Sequence, residues 1–378
     1  MIAPVYICNT NCITPLGFDV ASNWKAIVNG QSGIKQHTKL GQLENFYASR
    51  IEEDKLNEAF SEIESNTSFT RLEKMMILAL QPLVNKQKIT PKTAFVFSTT
   101  KGNITLLENQ LGTVQEAKLA TLAQKIASYF GFATQPIVIS NACVSGIMAV
   151  AIAKRMMQAG VYDDAYIVAG DEISEFVLSG FNSFQAMSAN PCKPYDNCRD
   201  GVTLGEAVAA VYLTKDPQSN HTVKFKIVGD GAINDANHIS GPSRTGEGLF
   251  RSMESAFKEA NISAEDIGFI SAHGTATLYN DEMEAIAFNR KEMGTTPLHS
   301  LKGYYGHTLG ASGLLETVIA MESAKQNQLI PSFGFDELGV SQSVNIIRKL
   351  EAKEIKYFLK TASGFGGCNT AVIFEKVK

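Results

Sequence analysis

The sequence predicts an α/β fold built from two similar halves, and two observations support this prediction. Short apolar runs alternate with amphipathic runs along the whole chain, which is the pattern of buried strands separated by helices. Two weak internal repeats also occur in the same order and at similar offsets. The run from Ser145 resembles the run from Ser312, and the run from Gly205 resembles the run from Gly366. Together these observations indicate a tandem of two related α/β halves.

A polar stretch marks the predicted boundary between the halves. The sequence "TKDPQSNHT" at 214–222 is rich in turn-forming residues and poor in apolar ones, which makes it the best linker in the chain. We therefore assign residues 1–215 to an N-terminal half and residues 222–378 to a C-terminal half.

The individual elements follow from the runs on each side of this linker. Apolar runs rich in β-branched and small residues predict strands, and longer amphipathic or apolar runs predict helices. The predicted strands are residues 93–98, 136–140, 165–170, 207–213, 224–233, 267–273 and 370–377. The predicted helices are residues 116–129, 147–158, 246–260 and 313–327.

Charge and hydropathy exclude several classes of protein. The net charge is −4 over 378 residues and no basic stripe occurs, which argues against nucleic acid as a partner. No apolar run reaches the roughly 18 residues that a membrane helix needs. The N-terminal apolar run is too short for a signal peptide, so we expect a cytoplasmic protein.

The cysteines are too sparse for a disulfide scaffold, and their spacing is not that of a zinc site. We therefore predict no metal site. The cysteines are Cys8, Cys12, Cys143, Cys192, Cys198 and Cys368.

Cys143 is the cysteine whose position suggests chemistry. It lies where the strand at 136–140 gives way to a helix that is apolar nearly all round and therefore buried. The partial positive charge at a buried helix N-terminus lowers the pKa of a thiol and favours the reactive thiolate. Most cysteines are small buried core residues, so from this stretch alone a structural role is an equal alternative.

Two histidines are candidate partners for a reactive cysteine. His273 follows the strand residues "IGFIS" at 267–271 and precedes a glycine, and His307 lies in a glycine-rich loop before the second buried helix. Both positions join an apolar element to a flexible turn, where functional residues concentrate. A cysteine with two such partners could carry out nucleophilic catalysis.

Four motifs in series resemble the β-ketoacyl-acyl-carrier-protein synthases, or ketosynthases, of the thiolase superfamily. They are "NACVSG" from 141, "HGTAT" from 273, "KGYYGHTLGASG" from 302 and "GFGGCN" from 364. The resemblance covers nearly the whole chain. It implies a thiolase-like fold of duplicated α/β halves arranged as a five-layered α-β-α-β-α sandwich.

The resemblance implies a 3-oxoacyl-[acyl-carrier-protein] synthase, an acyltransferase that carries out a decarboxylating Claisen condensation. Cys143 would form the acyl-enzyme, and His273 and His307 would stabilise the enolate that malonyl-carrier protein gives on losing carbon dioxide. The pathway would be fatty acid synthesis or a specialised polyene- or polyketide-like assembly.

Further residues match the family's motifs. Lys302 matches a lysine that orients the site, and Glu284 matches a carboxylate that pairs with its charge network. The backbone N–H of Phe365, with that of Cys143, would form the oxyanion hole, and Gly364 and Gly366 would let the Phe365 loop move as a gate.

The family's partners imply further contacts. Thr275 and Thr277 match the residues that grip the phosphopantetheine arm, which arrives on the carrier protein, so no other cofactor is implied. Arg71 and Lys74 are candidates for docking the acidic carrier protein. The family also implies a homodimer or a heterodimer with a paralogue.

Some features depart from the family or leave alternatives open. Tyr304 and Tyr305 add bulk beside His307 and are expected to narrow the acyl pocket. One alternative is a thiolase, with Cys368 as a second catalytic cysteine. Another is a non-catalytic chain-length partner subunit of a ketosynthase, although such partners usually lack the nucleophile that Cys143 provides.

Overall fold

The computed structural model describes residues 3–65, 68–85, 89–217, 224–235 and 241–377. The strands in these ranges are β1 (Tyr6–Ile13), β2 (Ile34–Leu40), β3 (Leu43–Ser49), β4 (Thr93–Ser98), β5 (Ile137–Ile139), β6 (Asp164–Asp171), β7 (Leu204–Gly205), β8 (Ala207–Thr214), β9 (Phe225–Asn234), β10 (Ile267–Ser271), β11 (Pro297–His299), β12 (Gln328–Leu329), β13 (Asn345–Ile346), β14 (Glu351–Ala352), β15 (Tyr357–Gly364) and β16 (Cys368–Lys376).

The helices of the described ranges lie between these strands. They are α1 (Val20–Val28), α2 (Glu53–Ser61), α3 (Arg71–Val84), α4 (Thr105–Glu108), α5 (Val114–Ala117), α6 (Leu119–Phe130), α7 (Ser145–Gln158), α8 (Glu175–Ser183), α9 (Glu247–Ala260), α10 (Leu278–Arg290), α11 (Lys302–Tyr305) and α12 (Ser312–Gln326), with 3-10 turns at Ala264–Asp266 and Leu309–Ala311. Each predicted strand and helix has a counterpart here, and none of these helices has both the length and the apolar composition that a bilayer crossing requires.

The main sheet contains the same strand order twice. Its eleven strands run β13-β11-β10-β15-β16-β9-β1-β8-β6-β4-β5. Reading outward from the middle, β1, β8 and β6 pair antiparallel and β6, β4 and β5 pair parallel. Likewise, β9, β16 and β15 pair antiparallel and β15, β10 and β11 pair parallel. The predicted duplication of an α/β unit is therefore visible in the topology.

The two half-sheets meet through a narrow seam. In the described residues, β1 and β9 pair at Tyr6 with Lys226 and at Ile7 with Phe225, and the N–H of Ile227 donates to the carbonyl oxygen of Val5 at 3.0 Å. The predicted boundary at 215–222 lies partly outside the described residues, so the exact division into halves stays a prediction.

Side-chain packing divides the molecule into five layers. Alternate residues of β4 point to opposite sides: Val96 belongs to a central core, whereas Phe95 and Phe97 belong to an outer core against α3 and α6. In the other half-sheet, Phe358 faces the central core and Leu359 faces an outer core against α9 and α10. Since α7 and α12 fill the central core, the order is helices, half-sheet, two central helices, half-sheet, helices.

The two central helices approach each other at glycines. A Cβ atom at Gly313, in the first turn of α12, would lie 2.9 Å from the Cβ of Ile147 in α7. A Cβ at Gly146 would lie 2.7 Å from the carbonyl oxygen of Gly310. Backbone-to-backbone packing of this kind brings the start of α7, which follows Cys143, against the loop that follows His307.

We expect Gly313→Ala to lower the free energy of unfolding by about 1–3 kcal/mol, because a well-packed contact has no room for the added methyl group. Gly180→Ala is the matched control. A Cβ at Gly180, within α8, would have nothing within 4 Å, so this change should stabilise the protein by about 0.5–1 kcal/mol. Urea denaturation of both variants measures the difference, and equal midpoints would contradict the close approach.

Candidate active site

Cys143 lies on a tight turn between β5 and α7. Ala142 before it has a φ of +44°, which is unusual for a residue other than glycine. Ser145 holds the turn closed: its hydroxyl accepts the backbone N–H of Asn141 at 2.8 Å and donates to the carbonyl oxygen of Ala142 at 2.6 Å. The turn therefore directs the cysteine toward a cavity ahead of the helix instead of into the helix packing.

The prediction that the Cys143 thiol has a lowered pKa is wrong for the resting protein. Burial raises its pKa to about 12, and the neighbouring Cys368 acts in the same direction. Lys302 and a hydrogen bond from the backbone of Phe365 lower it by less. The side chain is only 7% exposed, so desolvation of a thiolate outweighs the helix N-terminus. The sulfur is a neutral thiol until a substrate reaches it.

His273 and His307 both lie beside this sulfur. Their ring nitrogens and the Cys143 sulfur lie within 4.8 Å of one another. The two rings meet edge to face, with centroids 5.1 Å apart and planes at 85°. His273 follows β10, and His307 lies between α11 and α12. The second half of the chain therefore supplies both rings to the cysteine of the first half.

The backbone fixes the proton position on the His307 ring. Leu309 donates its backbone N–H to Nδ1 of His307 at 3.1 Å, and the hydroxyl of Ser312 lies 3.0 Å from the same nitrogen. A nitrogen that accepts a backbone N–H carries no proton when the ring is neutral. The neutral ring therefore carries its proton on Nε2 and can donate it to a ligand in the cavity.

Lys302 fixes the proton position on the His273 ring. Its ammonium group lies 3.3 Å from Nδ1 of His273 and donates to the carbonyl oxygen of the same residue at 2.6 Å. An ammonium group can only donate, so Nδ1 is the acceptor and the proton of the neutral ring lies on Nε2. Both histidines thus offer Nε2–H donors.

Both imidazoles are neutral near pH 7. Burial lowers the pKa of His273 well below its usual range, and Lys302 and His307 add to this effect. Burial likewise lowers the pKa of His307, with further contributions from Lys302 and Lys360. A second charge in a buried site that already holds ammonium groups is unfavourable, which keeps both rings uncharged.

Glu316 is a functional residue that the sequence reasoning missed. It lies on α12, is 3% exposed, and pairs with two fully buried ammonium groups: Lys302 at 2.7 Å and Lys360 at 2.5 Å. Lys360 also donates to the carbonyl oxygens of Ser271 and Ala272, just before His273. An acidic residue inside the otherwise apolar run "SGLLETVIA" was a signal, because a buried carboxylate needs a cationic partner.

Glu284 contacts the site differently from the expectation. It accepts the backbone N–H of His273 at 2.9 Å and that of Gly274 at 2.6 Å, and the hydroxyl of Tyr195 donates to it at 2.8 Å. Both lysines form their ion pairs with Glu316. Glu284 therefore holds the chain at His273, because a buried carboxylate attracts N–H and O–H donors that the loop would otherwise leave unpaired.

The loop of Phe365 closes over Cys143. A Cβ at Gly364 would lie 3.0 Å from the backbone nitrogen of Cys143, so the two backbones can approach only with glycine there. Gly366 has a φ of +84°, a conformation that suits glycine. The Phe365 ring stacks on Phe181, with centroids 5.6 Å apart. The predicted gate loop is thus in contact with the nucleophile.

A cavity of about 420 Å³ opens onto these groups. Thr275 and Thr277 line it, and their hydroxyl oxygens lie 2.8 Å apart. Tyr304 and Tyr305 do not narrow it as expected, because both are buried in the central core. The cavity wall includes these residues that the sequence predicted for the site: Cys143, His273, Thr275, Thr277, His307, Gly364 and Phe365.

The two predicted carrier-docking residues lie away from this cavity wall. Arg71 is 14% exposed and forms ion pairs with Glu53 and with the fully buried Glu206, so it serves the interior instead of a docking surface. Lys74 donates to the side chain of Asn57 at 2.7 Å. This pairing argues against docking through Arg71, because a buried carboxylate requires its cation, and the docking role of both residues stays a prediction.

Within the described ranges, Cys143, His273 and His307 are also the group of side chains close enough together to hold a metal ion. Ligation by an imidazole needs an unprotonated nitrogen, whereas both rings keep Nε2 protonated through their Nδ1 contacts. The arrangement fits hydrogen-bond donation better than metal binding, and the sequence-based expectation of no metal stays a prediction.

Two family models match the chain. Residues 3–219 match the N-terminal domain of the beta-ketoacyl synthases, and residues 225–336 match their C-terminal domain. The chain belongs to the beta-ketoacyl synthase family. The enzymes of this family that resemble it are acyltransferases named for 3-oxoacyl-carrier-protein synthesis.

Among curated relatives, a putative mitochondrial 3-oxoacyl-[acyl-carrier-protein] synthase of Schizosaccharomyces pombe is 26% identical, over 98% of this chain and 99% of its own. The 3-oxoacyl-[acyl-carrier-protein] synthase 2 of Vibrio cholerae is 27% identical, over 99% of both chains. These beta-ketoacyl synthases thus align along their entire length.

Solved structures show the same fold. A beta-ketoacyl synthase from Burkholderia phymatum has a TM-score of 0.87 at 23% identity and covers 100% of both chains. A ketosynthase from Xenorhabdus doucetiae, in complex with its chain length factor, has a TM-score of 0.86 at 24% identity and covers 99% of this chain and 98% of that one. The predicted thiolase-like α/β fold is confirmed.

We expect acid to destabilise the protein through His273 and His307. Their pKa values in the folded state lie below the unfolded value of about 6.5, so the unfolded state binds more protons below pH 6.5. The folded state therefore becomes less stable as the pH is lowered. From pH 7.5 to 5.5 the two rings should account for a loss of about 2–3 kcal/mol. Urea denaturation of wild type and of the His273→Gln/His307→Gln double variant at both pH values isolates the contribution of the two rings to the free energy of unfolding. Identical pH dependence of the two proteins would contradict it.

We expect Glu316→Gln to lower the free energy of unfolding by about 3–5 kcal/mol, because it leaves two buried ammonium groups without their carboxylate. Glu322→Gln on the same helix is the matched control. Its partner Lys325 has a side chain that is 45% exposed, so this change should cost less than about 1 kcal/mol. Denaturation midpoints measure both effects, and a similar small loss in both variants would argue against the ion pairs with Lys302 and Lys360.

Proposed function

We propose that this beta-ketoacyl synthase joins an acyl group to a malonyl unit by decarboxylating Claisen condensation, as a 3-oxoacyl-[acyl-carrier-protein] synthase. One observation carries the proposal: the Cys143 thiol and two neutral imidazoles, those of His273 and His307, share one end of a cavity. This set combines a nucleophile with two uncharged donors, which acyl transfer and enolate formation need in turn.

In the first step Cys143 takes the acyl group. Its sulfur attacks the thioester carbonyl of the acyl donor, the new C–S bond forms, and the carrier's thiol leaves with the proton that Cys143 gives up. The oxyanion of this step is stabilised by backbone N–H groups, for which those of Cys143 and Phe365 are the candidates. Phe365 already contacts the sulfur through its backbone, which supports this assignment.

In the second step the malonyl thioester loses carbon dioxide. The bond between its central carbon and the carboxylate breaks, and the electron pair becomes an enolate with its charge on the thioester oxygen. The Nε2–H groups of His273 and His307 suit this oxygen, since preorganised donors in a buried site stabilise developing charge strongly. Neutral rings also avoid attracting the malonyl carboxylate itself, which has to leave.

In the third step the enolate carbon attacks the acyl group on Cys143. A C–C bond forms, the C–S bond to the enzyme breaks, and the thiolate left on Cys143 takes up one proton from solvent, so the overall reaction consumes a proton. The product is a 3-oxoacyl thioester two carbons longer. The buried network of Lys302, Lys360 and Glu316 holds the His273 ring in place throughout without contributing a proton to the reaction.

We also propose acyl carrier protein as the partner that delivers both thioesters on a phosphopantetheine arm. Thr275 and Thr277, as hydroxyl groups on the cavity wall, are candidates for hydrogen bonds to that arm. No other cofactor is required by these steps. Three structural neighbours are ketosynthases in complex with a chain length factor or an acyl carrier protein, which favours a heterodimer, and the homodimer stays a prediction. A cytoplasmic location and the choice between fatty acid and polyketide-like pathways stay predictions.

The alternatives fit the site less well. A non-catalytic chain-length partner subunit does not require a nucleophile flanked by two histidines, and a thiolase needs a second reactive cysteine. Cys368 is 1% exposed and does not belong to the cavity wall.

The proposal is tested by separating the two half-reactions. With acyl- and malonyl-carrier protein, wild type should form an acyl-enzyme detectable by intact mass, release carbon dioxide and make the 3-oxoacyl product. Cys143→Ala should form neither acyl-enzyme nor product. His273→Ala should still form the acyl-enzyme but lose carbon dioxide release by about a hundredfold or more.

His37→Gln is the control for loss of a histidine, since His37 lies on β2 and does not line the cavity. It should behave as wild type. Acylation at another residue, or unchanged carbon dioxide release in His273→Ala, would contradict the proposal.

A further inference from the structure

Asp171, the last residue of β6, is a buried carboxylate that the steps above do not use. It is 1% exposed and accepts hydrogen bonds from the loop after β4. The hydroxyl of Thr99 donates at 2.8 Å, and Thr100 donates both its hydroxyl and its backbone N–H at 3.0 Å. The backbone N–H of Lys101 adds a fourth donor at 3.3 Å.

The other oxygen of Asp171 reaches the second half of the molecule. It accepts the backbone N–H of Gly310 at 2.8 Å. Gly310 lies in a tight space, because a Cβ there would lie 2.8 Å from this oxygen and 3.0 Å from Cγ2 of Thr100. The carboxylate thus clamps the turn at Leu309–Ala311 against the β4 loop.

The clamped turn carries the hydrogen bond that orients His307. Leu309, directly before Gly310, has a φ of +53°, a strained conformation for a branched side chain. The backbone N–H of the same residue donates to Nδ1 of His307 at 3.1 Å. A strained residue persists where its surroundings hold it, and the hydrogen bond from Gly310 to Asp171 is the nearest such restraint.

The backbone of His307 itself is held by other residues. Its N–H donates to the carbonyl oxygen of Thr203 at 2.7 Å, and its carbonyl oxygen accepts the N–H of Gly205 at 3.0 Å. Loss of the clamp would therefore leave the chain path at His307 in place. What it would loosen is the Leu309 N–H on Nδ1 of the ring. The Ser312 hydroxyl would remain beside this nitrogen, and a hydroxyl that can either donate or accept does not fix the tautomer.

We propose that Asp171 is a positioning residue for the condensation: through Gly310 and Leu309 it keeps the His307 ring in the tautomer that presents Nε2–H to the substrate. This inference rests on the proposed function only for its effect on rate. The tautomer itself is a property of the free protein.

The chemistry of the site requires a carboxylate at this position. The groups that contact Asp171 within the described residues are N–H and O–H donors on both oxygens. An asparagine would place an NH₂ group against one set of N–H donors, so one side of the clamp would repel. The isosteric change to Asn is therefore a severe test that removes little volume.

Asp171→Asn is compared with Asp164→Asn, the same change at the opposite end of β6, about 23 Å away. In long-range ¹H–¹⁵N spectra of ¹⁵N-histidine protein, His307 should be the Nε2–H tautomer in wild type and Asp164→Asn. It should be a mixture in Asp171→Asn. Carbon dioxide release from malonyl-carrier protein should fall at least tenfold only in Asp171→Asn, while iodoacetamide alkylation of Cys143 should stay within about twofold of wild type.

Thr100→Val is the milder variant if Asp171→Asn does not fold. It removes one hydroxyl donor and keeps the other contacts, so it should shift tautomer and rate in the same direction by less. An unchanged His307 tautomer in both Asp171→Asn and Thr100→Val would overturn the proposal, as would a rate loss shared by Asp164→Asn. If wild type releases no carbon dioxide, the proposed function fails, and the tautomer comparison still decides the role of Asp171.

Discussion

The contact between the two central helices is the constraint on which the rest of the molecule depends. Neither half holds a complete site: the first carries the cysteine and the second carries both imidazoles. They meet because Gly146, Gly310 and Gly313 let two backbones pack directly against each other. The seam between the half-sheets is short in the described part of the chain, so the buried helices carry the alignment.

Buried charges then set the protonation states of the side chains that this contact brings together. Three buried charges, Lys302, Lys360 and Glu316, would be costly one at a time, but as a bonded set they are compatible with the interior. The field of Lys302 and Lys360 lowers the pKa of His273 and His307, in the same direction as burial, which keeps the imidazoles uncharged. The same field opposes the effect of burial on Cys143, although burial is the larger effect.

Local patterns in the sequence were sufficient for the fold and for the reacting groups. Alternating apolar runs predicted the strands, and motifs around Cys143, His273 and His307 predicted which side chains meet. The partners of these groups were harder to predict. Glu316 lies 14 residues from Lys302 and 44 from Lys360, and such pairings depend on tertiary packing that no local pattern encodes. Arg71 shows the converse: an apparent surface cation proved to serve a buried carboxylate.

The prediction of a lowered pKa for the Cys143 thiol was wrong for a related reason. A helix start is visible in a sequence, whereas the depth at which its first turn is buried is not, and here depth decides the sign of the shift.

The Phe365 ring, on the wall of the cavity, is held by its stack on Phe181. An aromatic stack contributes about 0.5–1.5 kcal/mol beyond the area it buries, which corresponds to roughly a two- to twelvefold population ratio. The proposed condensation admits two thioesters in turn and releases the first carrier between them. A contact of this small free energy would add little to the cost of opening the site for each exchange.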